Sequence, residues 1–270
     1  MIVRTLTAIP LPWRALALLP AALFAAPAAA QEEPQEPRRT RIGVGAQLVP
    51  SYPGSDKFSL RPLFDISRTR GDEPYEFEAA DEAFGFPMLR AGGFEVGPAL
   101  GIEGSRSPAD VGALLPRVGF TVEVGGFVQY VFSDAFRARL EVRKGLGGHK
   151  GVIGVVGADY VARDGNDWLV SVGPRLTLAD KSYQDAYFSV APEDAGPSGL
   201  PAFSAGAGIQ AVGGVVGYTQ QLSKRWGIYS YAKYDRLLGD AGRSPIVREL
   251  GSRDQFSGGL ALTYTFGRDL

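Results

Sequence analysis

The chain has 270 residues, 36 of them glycine, with no cysteine, one histidine and a formal net charge of -1. Without cysteine there is no disulfide framework, no thiolate nucleophile and no thiolate metal site, and without a basic surplus there is no electrostatic case for nucleic acid. Beyond residue 30 Gly, Pro or a charge interrupts every apolar stretch, well short of the about 18 residues that a spanning helix needs.

The N-terminus has the pattern of an export signal. Arg4 and Arg14 supply positive charge, Ala15 to Phe24 is almost wholly apolar, and Ala28-Ala29-Ala30 before Gln31 is a small-residue cleavage site. Cleavage is expected after Ala30, making 1–30 a signal peptide. Residues 31–40 carry acids and prolines but no apolar side chain, so a disordered leader is expected there. The folded part is expected to span 41–270.

From Arg41 onward the dominant signal is alternation with a period of two. Strands are expected at 41–49, 58–68, 75–80, 84–90 and 94–104, then at 118–132, 136–143, 151–163, 166–178, 206–221, 226–235 and 256–266. In 136–143, Phe136, Ala138, Leu140 and Val142 interleave with Arg137, Arg139, Glu141 and Arg143. Val118, Phe120, Val122, Val124, Val128, Tyr130 and Phe132 share one parity in the next most regular segment. At 166–178 the apolar set runs Trp168, Val170, Val172, Pro174, Leu176 and Leu178, and at 256–266 it includes Leu260, Leu262, Tyr264 and Phe266.

Several of these runs exceed ten residues, whereas soluble strands are typically about 5 or 6 and tilted membrane strands about 9 to 11. In lipid every backbone polar group must be paired internally, so such strands imply a closed antiparallel barrel with the apolar parity outward. The reading is an all-β transmembrane barrel of about twelve strands in a Gram-negative outer membrane. Ten or fourteen stay open because 183–190 reads as strand or loop. Short turns at Ser133-Asp134, Asp164-Gly165 and Ser223-Lys224-Arg225 alternate with longer stretches at 105–117, 144–150, 179–205 and 236–254. That order places the long loops outside, and it requires 75–90 to be two strands joined by a tight outer turn near Asp81.

The inward parity then carries Arg61, Asp65, Glu123, Arg137, Arg139, Glu141, Arg143, Asp159 and Arg175. Such a mixture lines a polar pore or closes one, and its near balance favours a salt-bridged plug, because an unpaired buried charge is costly. Tyr130, Phe132, Phe136, Trp168, Trp226, Tyr229 and Tyr231 lie near the short turns, where an interfacial aromatic girdle is expected.

His149, in Gly147-Gly148-His149-Lys150, is the only imidazole and so the only candidate for His-based lipid hydrolysis. No G-x-S-x-G accompanies it, and Ser105, Ser107 and Ser182 sit in ordinary loop sequence, so a loop residue is the expectation. One histidine and scattered carboxylates cannot make a closed zinc site, and weak calcium binding at Asp240 or Asp254 is a remote option. No cofactor is expected.

The loops add a further signal. Tyr52-Pro53-Gly54-Ser55-Asp56, Asp185-Ala186-Tyr187-Phe188, Ser198-Gly199-Leu200-Pro201-Ala202-Phe203, Arg236-Leu237-Leu238-Gly239-Asp240-Ala241, Ser244-Pro245-Ile246-Val247 and Gly251-Ser252-Arg253-Asp254-Gln255-Phe256 together resemble the MipA/OmpV family of outer-membrane proteins. The resemblance runs from about Arg41 to Phe266 and implies a barrel scaffold joining a lytic transglycosylase to a murein synthase. Other members are described as surface antigens, and a small-solute channel is the alternative from the transport class. Family texture also suggests that the 236–254 loop folds inward or packs on neighbouring loops. Tyr264 and Phe266 match the aromatic signal read by barrel-insertion machinery, although Gly267-Arg268-Asp269-Leu270 follow them.

Overall fold

A computed structural model describes residues 36–267, so the expected signal peptide and residues 31–35 of the leader lie outside the described residues. Twelve antiparallel strands form one curled sheet. They are β1 (Arg38–Pro50), β2 (Phe58–Arg70), β3 (Phe84–Gly85), β4 (Leu89–Ala91), β5 (Phe94–Glu103), β6 (Thr121–Ser133), β7 (Phe136–Gly147), β8 (Val152–Asp164), β9 (Trp168–Ala179), β10 (Gly208–Gln221), β11 (Trp226–Leu237) and β12 (Asp254–Phe266). Apart from β3 and β4, every strand has 10 to 14 residues, long enough to cross a bilayer at a tilt.

From β5 to β12 each strand pairs with the next. β12 also pairs with β1, from Thr40↔Phe266 to Leu48↔Gly258, and β1 pairs with β2 along its whole length. The order ends at β2 on one side and at β3 and β4, both on β5, on the other. Among the described residues no backbone pairing joins β2 to β3, β4 or β5.

Alternation sorts the side chains as the lipid argument requires. Leu60, Phe64, Phe132, Leu140, Val172 and Leu260 are exposed on the convex face, while Glu123, Arg137, Arg139, Glu141, Asp159 and Arg175 are buried on the concave one. No described helix is long and apolar enough to cross a membrane.

Several expected boundaries move. β1 begins at Arg38, ahead of Arg41, and β6 begins at Thr121, leaving Val118 to a bridge with Arg106 in the preceding loop. The 144–150 loop shrinks because β7 continues to Gly147. The expected strand at 75–80 is irregular, and 84–90 breaks into β3 and β4 around Pro87, which has no N–H to give to a ladder. Asp81 is not at an outer turn; its carboxylate lies against cations of the concave face. The ambiguous 183–190 segment falls mostly in a helix rather than a strand.

The long loops at one end of the sheet fold into a cap of short helices: α1 (Pro108–Val111), α2 (Lys181–Phe188), α3 (Pro192–Ser198), α4 (Gly239–Arg243) and α5 (Pro245–Leu250). Asp180 caps α2 by accepting from the Tyr183 N–H at 2.8 Å, and Ser107 and Asp110 form a capping box on α1. One apolar cluster joins Tyr183, Tyr187, Phe188, Leu237, Ala241 and Val247 to the strand ends at Ile153, Ala179 and Ala211. A second gathers Tyr52, Val111, Leu115, Val190, Leu200 and Ile246. Each large apolar side chain buried there contributes about 1.5–3 kcal/mol, so the cap is a packed layer in its own right. The 236–254 loop is inside that layer.

Candidate functional site

The concave face carries a continuous ladder of ion pairs. β7 presents Arg137, Arg139, Glu141 and Arg143 at every second position, which puts all four on one side of the strand. Arg143 Nε donates to Glu123 Oε2 at 2.7 Å and its guanidinium also meets Glu141. Arg139 donates to Glu141 Oε2 at 2.8 Å and stacks over the Phe127 ring at 3.6 Å. Arg137 donates to Asp159 Oδ2 at 3.2 Å, and Asp159 accepts from Arg175 at 2.7 Å through its other oxygen. Seven of the nine sequence-derived charges therefore meet in one network.

Arg61 and Asp65 do not join it. Asp65 faces Arg41 at 3.7 Å, and Arg61 donates to the Ser51 carbonyl at 3.2 Å near the cap.

The irregular segment between β2 and β3 completes the ladder. Asp81 accepts from Arg175 Nε at 3.0 Å and from Lys233 Nζ at 3.2 Å, and Lys233 also meets Asp235 at 3.1 Å. Glu82 pairs with Arg137 and lies 3.8 Å from Arg139. The backbone of the segment is held too: Arg163 donates to the Tyr75 carbonyl at 2.9 Å, Arg137 to that of Phe77 at 3.2 Å, and the Tyr75 N–H donates to Asn166 Oδ1 at 2.9 Å. Residues 75–82 thus lie across the concave face as a plug, with Tyr75 and Ala79 buried and Asp81 and Glu82 paired. Asp81, Glu82 and Lys233 were absent from the sequence-derived set, although Lys233 sits on the inward parity of β11 and was legible on that ground.

His149 is buried beneath α2, its ring 4.8 Å from that of Tyr183. Its Nδ1 accepts from the Gly151 N–H at 3.1 Å, which puts the proton on Nε2, 3.0 Å from Glu123 Oε1. Both ring nitrogens are therefore engaged within the protein, and the imidazole ties the cap to the top of the ladder. In the cap, Arg106 is buried with two carbonyl partners, Tyr187 at 3.0 Å and Pro116 at 3.1 Å, and burial lowers its pKa from the ordinary arginine value. Asp240 accepts from the Gly206 N–H at 2.7 Å, which holds its carboxyl below the usual range. Asp254 meets Arg236 at 2.5 Å and the Tyr234 hydroxyl at 2.6 Å. No group of three or more metal-ligating side chains occurs among the described residues.

At the opposite end, Phe132, Phe136, Trp168 and Trp226 are exposed on the convex face by the short turns, with Tyr130 packed edge-on between Phe94 and Phe132. Tyr264 packs between Trp226 and Phe266 at 4.8 and 4.7 Å. Tyr229 and Tyr231 do not belong to this girdle. They take the inward parity of β11, where the Tyr231 hydroxyl bonds to Gln47 and Tyr229 lies beside Arg41 and Asp65.

A family model described as MltA-interacting protein MipA matches residues 42–266, from within β1 to the end of β12. The chain belongs to the MipA family. No curated protein matches it significantly. Among solved structures, it is similar to the COG4313 outer membrane channel from Pseudomonas putida F1, at 10% identity and a TM-score of 0.35, over 89% of this chain and 99% of that one. It is also similar to a Pseudomonas aeruginosa FadL homologue, at 8% identity and 0.34 over 86% and 90%. The N-terminal β-barrel domain of Pseudomonas aeruginosa OprF follows at 13% identity and 0.28, over 64% and 96%. These scores are too low to carry any inference from those proteins to this MipA-family chain.

Proposed function

We propose that this MipA-family protein resides in the outer membrane and acts there as a non-enzymatic scaffold for peptidoglycan enzymes, a lytic transglycosylase of the MltA kind and a murein synthase. The single observation that carries the reading is the occupied concave face: an ion-pair ladder, the 75–82 segment and a packed cap engage the charges that would otherwise line a channel, which leaves the belt and the two ends as the surfaces for partners. The convex belt supports membrane residence, since exposed Leu, Phe and Val on long antiparallel strands suit a hydrocarbon surround. The engagement of both His149 nitrogens supports the non-enzymatic part, because a general base needs a free lone pair.

The short-turn end offers the surface for such partners. Two clefts open there, of about 630 and 490 Å³, the first beside Asp134, Arg137 and Arg163, the second beside Asp72, Asn166 and Lys224. The test is a pull-down from detergent-solubilised outer membranes with a tagged chain and its Asp134→Lys/Lys224→Glu variant. Recovery of a lytic transglycosylase with the first and its loss with the second is the expected result. Equal recovery with both moves the contact elsewhere, and no recovery with either refutes the scaffold.

A further inference from the structure

The β2 edge presents the one unexplained feature of the wall. Thirteen residues, Phe58–Arg70, pair with β1 on one side, and among the described residues nothing pairs with their other side. Phe64 and Ile66 on this strand are exposed with the lipid belt. Unpaired backbone groups in hydrocarbon cost several kcal/mol each, so an open edge at membrane depth demands an occupant.

The segment that follows has the properties of that occupant. The chain leaves β2 through a tight turn, with the Glu73 N–H donating to the Arg70 carbonyl at 3.1 Å and Gly71 at a φ of 51°. Glycine at the first central position is what one class of two-residue hairpin requires. If pairing continued from that turn, Arg68 would face Tyr75, Ile66 would face Phe77, Phe64 would face Ala79, and Asp65 would face Glu78. Tyr75, Phe77 and Ala79 would then fall on the lipid side and Glu76, Glu78 and Ala80 on the inner side, with Glu73 beside the turn at the water-facing end of the strand. The direction also fits: the segment runs antiparallel to β2 and would leave β3 and β4 antiparallel to it, giving an unbroken meander.

In the structure the same segment lies inside. Phe77 packs against the Arg137 guanidinium at 4.3 Å, while Asp81 and Glu82 hold the end of the segment on Arg175, Lys233 and Arg137. One stretch of chain thus has two compatible places, one made by ion pairs and the other by strand pairing.

We propose that residues 73–80 are the missing wall strand, drawn inward as a plug, and that their transfer into the β2 edge closes the wall and opens the interior to small hydrophilic solutes. The inference rests on the membrane reading above but not on the scaffold role. The inner-face neighbours Asp65 and Glu78 oppose the wall state by like-charge repulsion, which Arg41, 3.7 Å from Asp65, reduces. Release of Asp81 and Glu82 from their cations is the other cost of opening.

The chain has no cysteine, so a single engineered pair reports the transfer without background. In Ile66→Cys/Phe77→Cys the register places the two Cβ atoms about 4.5–5.5 Å apart in the wall state, within easy adjustment of a disulfide. In Ile66→Cys/Glu76→Cys it places them on opposite faces. Both variants are reconstituted in phosphatidylcholine vesicles, checked for insertion by flotation, and oxidised with copper phenanthroline. The expected result is cross-linking of the first pair only, with conductance in planar bilayers that disappears on reduction. Equal cross-linking of both pairs, or a cross-linked protein that does not conduct, overturns the proposal. Failure to float refutes membrane residence instead. As a cysteine-free check, Asp81→Asn/Glu82→Gln should raise conductance over the unaltered chain by at least about tenfold, and an unchanged current counts against the plug.

Discussion

Asp159 is the most exacting test of the ladder, because one carboxylate that is 3% exposed accepts from two guanidiniums, Arg137 and Arg175. In Asp159→Ala both cations lose that partner in a dry surround, and breaking a buried pair in this way costs about 3–5 kcal/mol. Arg137 keeps Glu82 and Arg175 keeps Asp81, which places the expected loss at the lower bound, about 3 kcal/mol. The control is Asp254→Ala, which breaks a pair with Arg236 whose side chains are 44% and 39% exposed and should shift the midpoint far less. Both are measured by urea unfolding in phospholipid vesicles, followed by fluorescence of Trp168 and Trp226, with midpoints compared at constant slope. The double variant Asp159→Ala/Arg175→Met should recover part of the loss, since it removes one of the stranded cations. If Asp159→Ala shifts the midpoint no more than Asp254→Ala, the interior is wet and the ladder is not a plug.

Phe188→Ala removes a fully buried ring from the cap and should cost about 3–5 kcal/mol locally, read as faster proteolysis within 180–205 and 238–253 while the strands stay protected. Gly54→Ala places a Cβ 2.8 Å from Val247 Cγ2 at a φ of 95°, so it too should loosen the cap, by more than about 1 kcal/mol in the same assay. Leu140→Arg puts a charge on the convex belt midway along β7 and should cost about 2–4 kcal/mol in vesicles, an effect absent if that face were buried in protein. Asp240 titrates below the ordinary aspartate range because the Gly206 N–H favours its ionised form. Its contribution to the cap is therefore present above the unfolded pKa and lost as pH falls through the lower folded value, and Asp240→Asn should flatten that acid limb of the proteolysis profile.

The wall was legible in the sequence because lipid and interior impose opposite chemistries on alternate residues, and β7 states that rule in eight consecutive letters from Phe136 to Arg143. The lumen charges followed from parity for the same reason. The segment at 75–80 defeated the rule while obeying its pattern: Tyr75, Phe77 and Ala79 alternate as a strand should, but the cations that hold Asp81 and Glu82 are distant in sequence and invisible to a local period. The helix at Lys181–Phe188 was hidden by a mixture of aromatic and polar residues, although Tyr183 and Tyr187, four apart and both buried, carried a helical spacing. Tyr229 and Tyr231 were misplaced because nearness to a turn was weighed above strand parity, which already put them inside. His149 does lie in the loop between β7 and β8, as expected, but its burial against Glu123 was not legible because that partner is 26 residues away in sequence.

The pairing of β1 with β12 has a kinetic side. From β5 to β12 the wall is a run of adjacent hairpins, each closing a short stretch of chain, whereas β1 and β12 meet across nearly the entire sequence, and the Gly54–Gln255 bond beside them spans 201 residues. Loop-closure entropy makes such a contact the slowest to form. The hairpins can therefore zip early and independently, while one distant seam decides when the first and last strands become a single molecule-wide sheet. Loss of β12 would leave β1 and β11 as two new bare edges, so the last strand is the latch of the assembly as well as one of its staves.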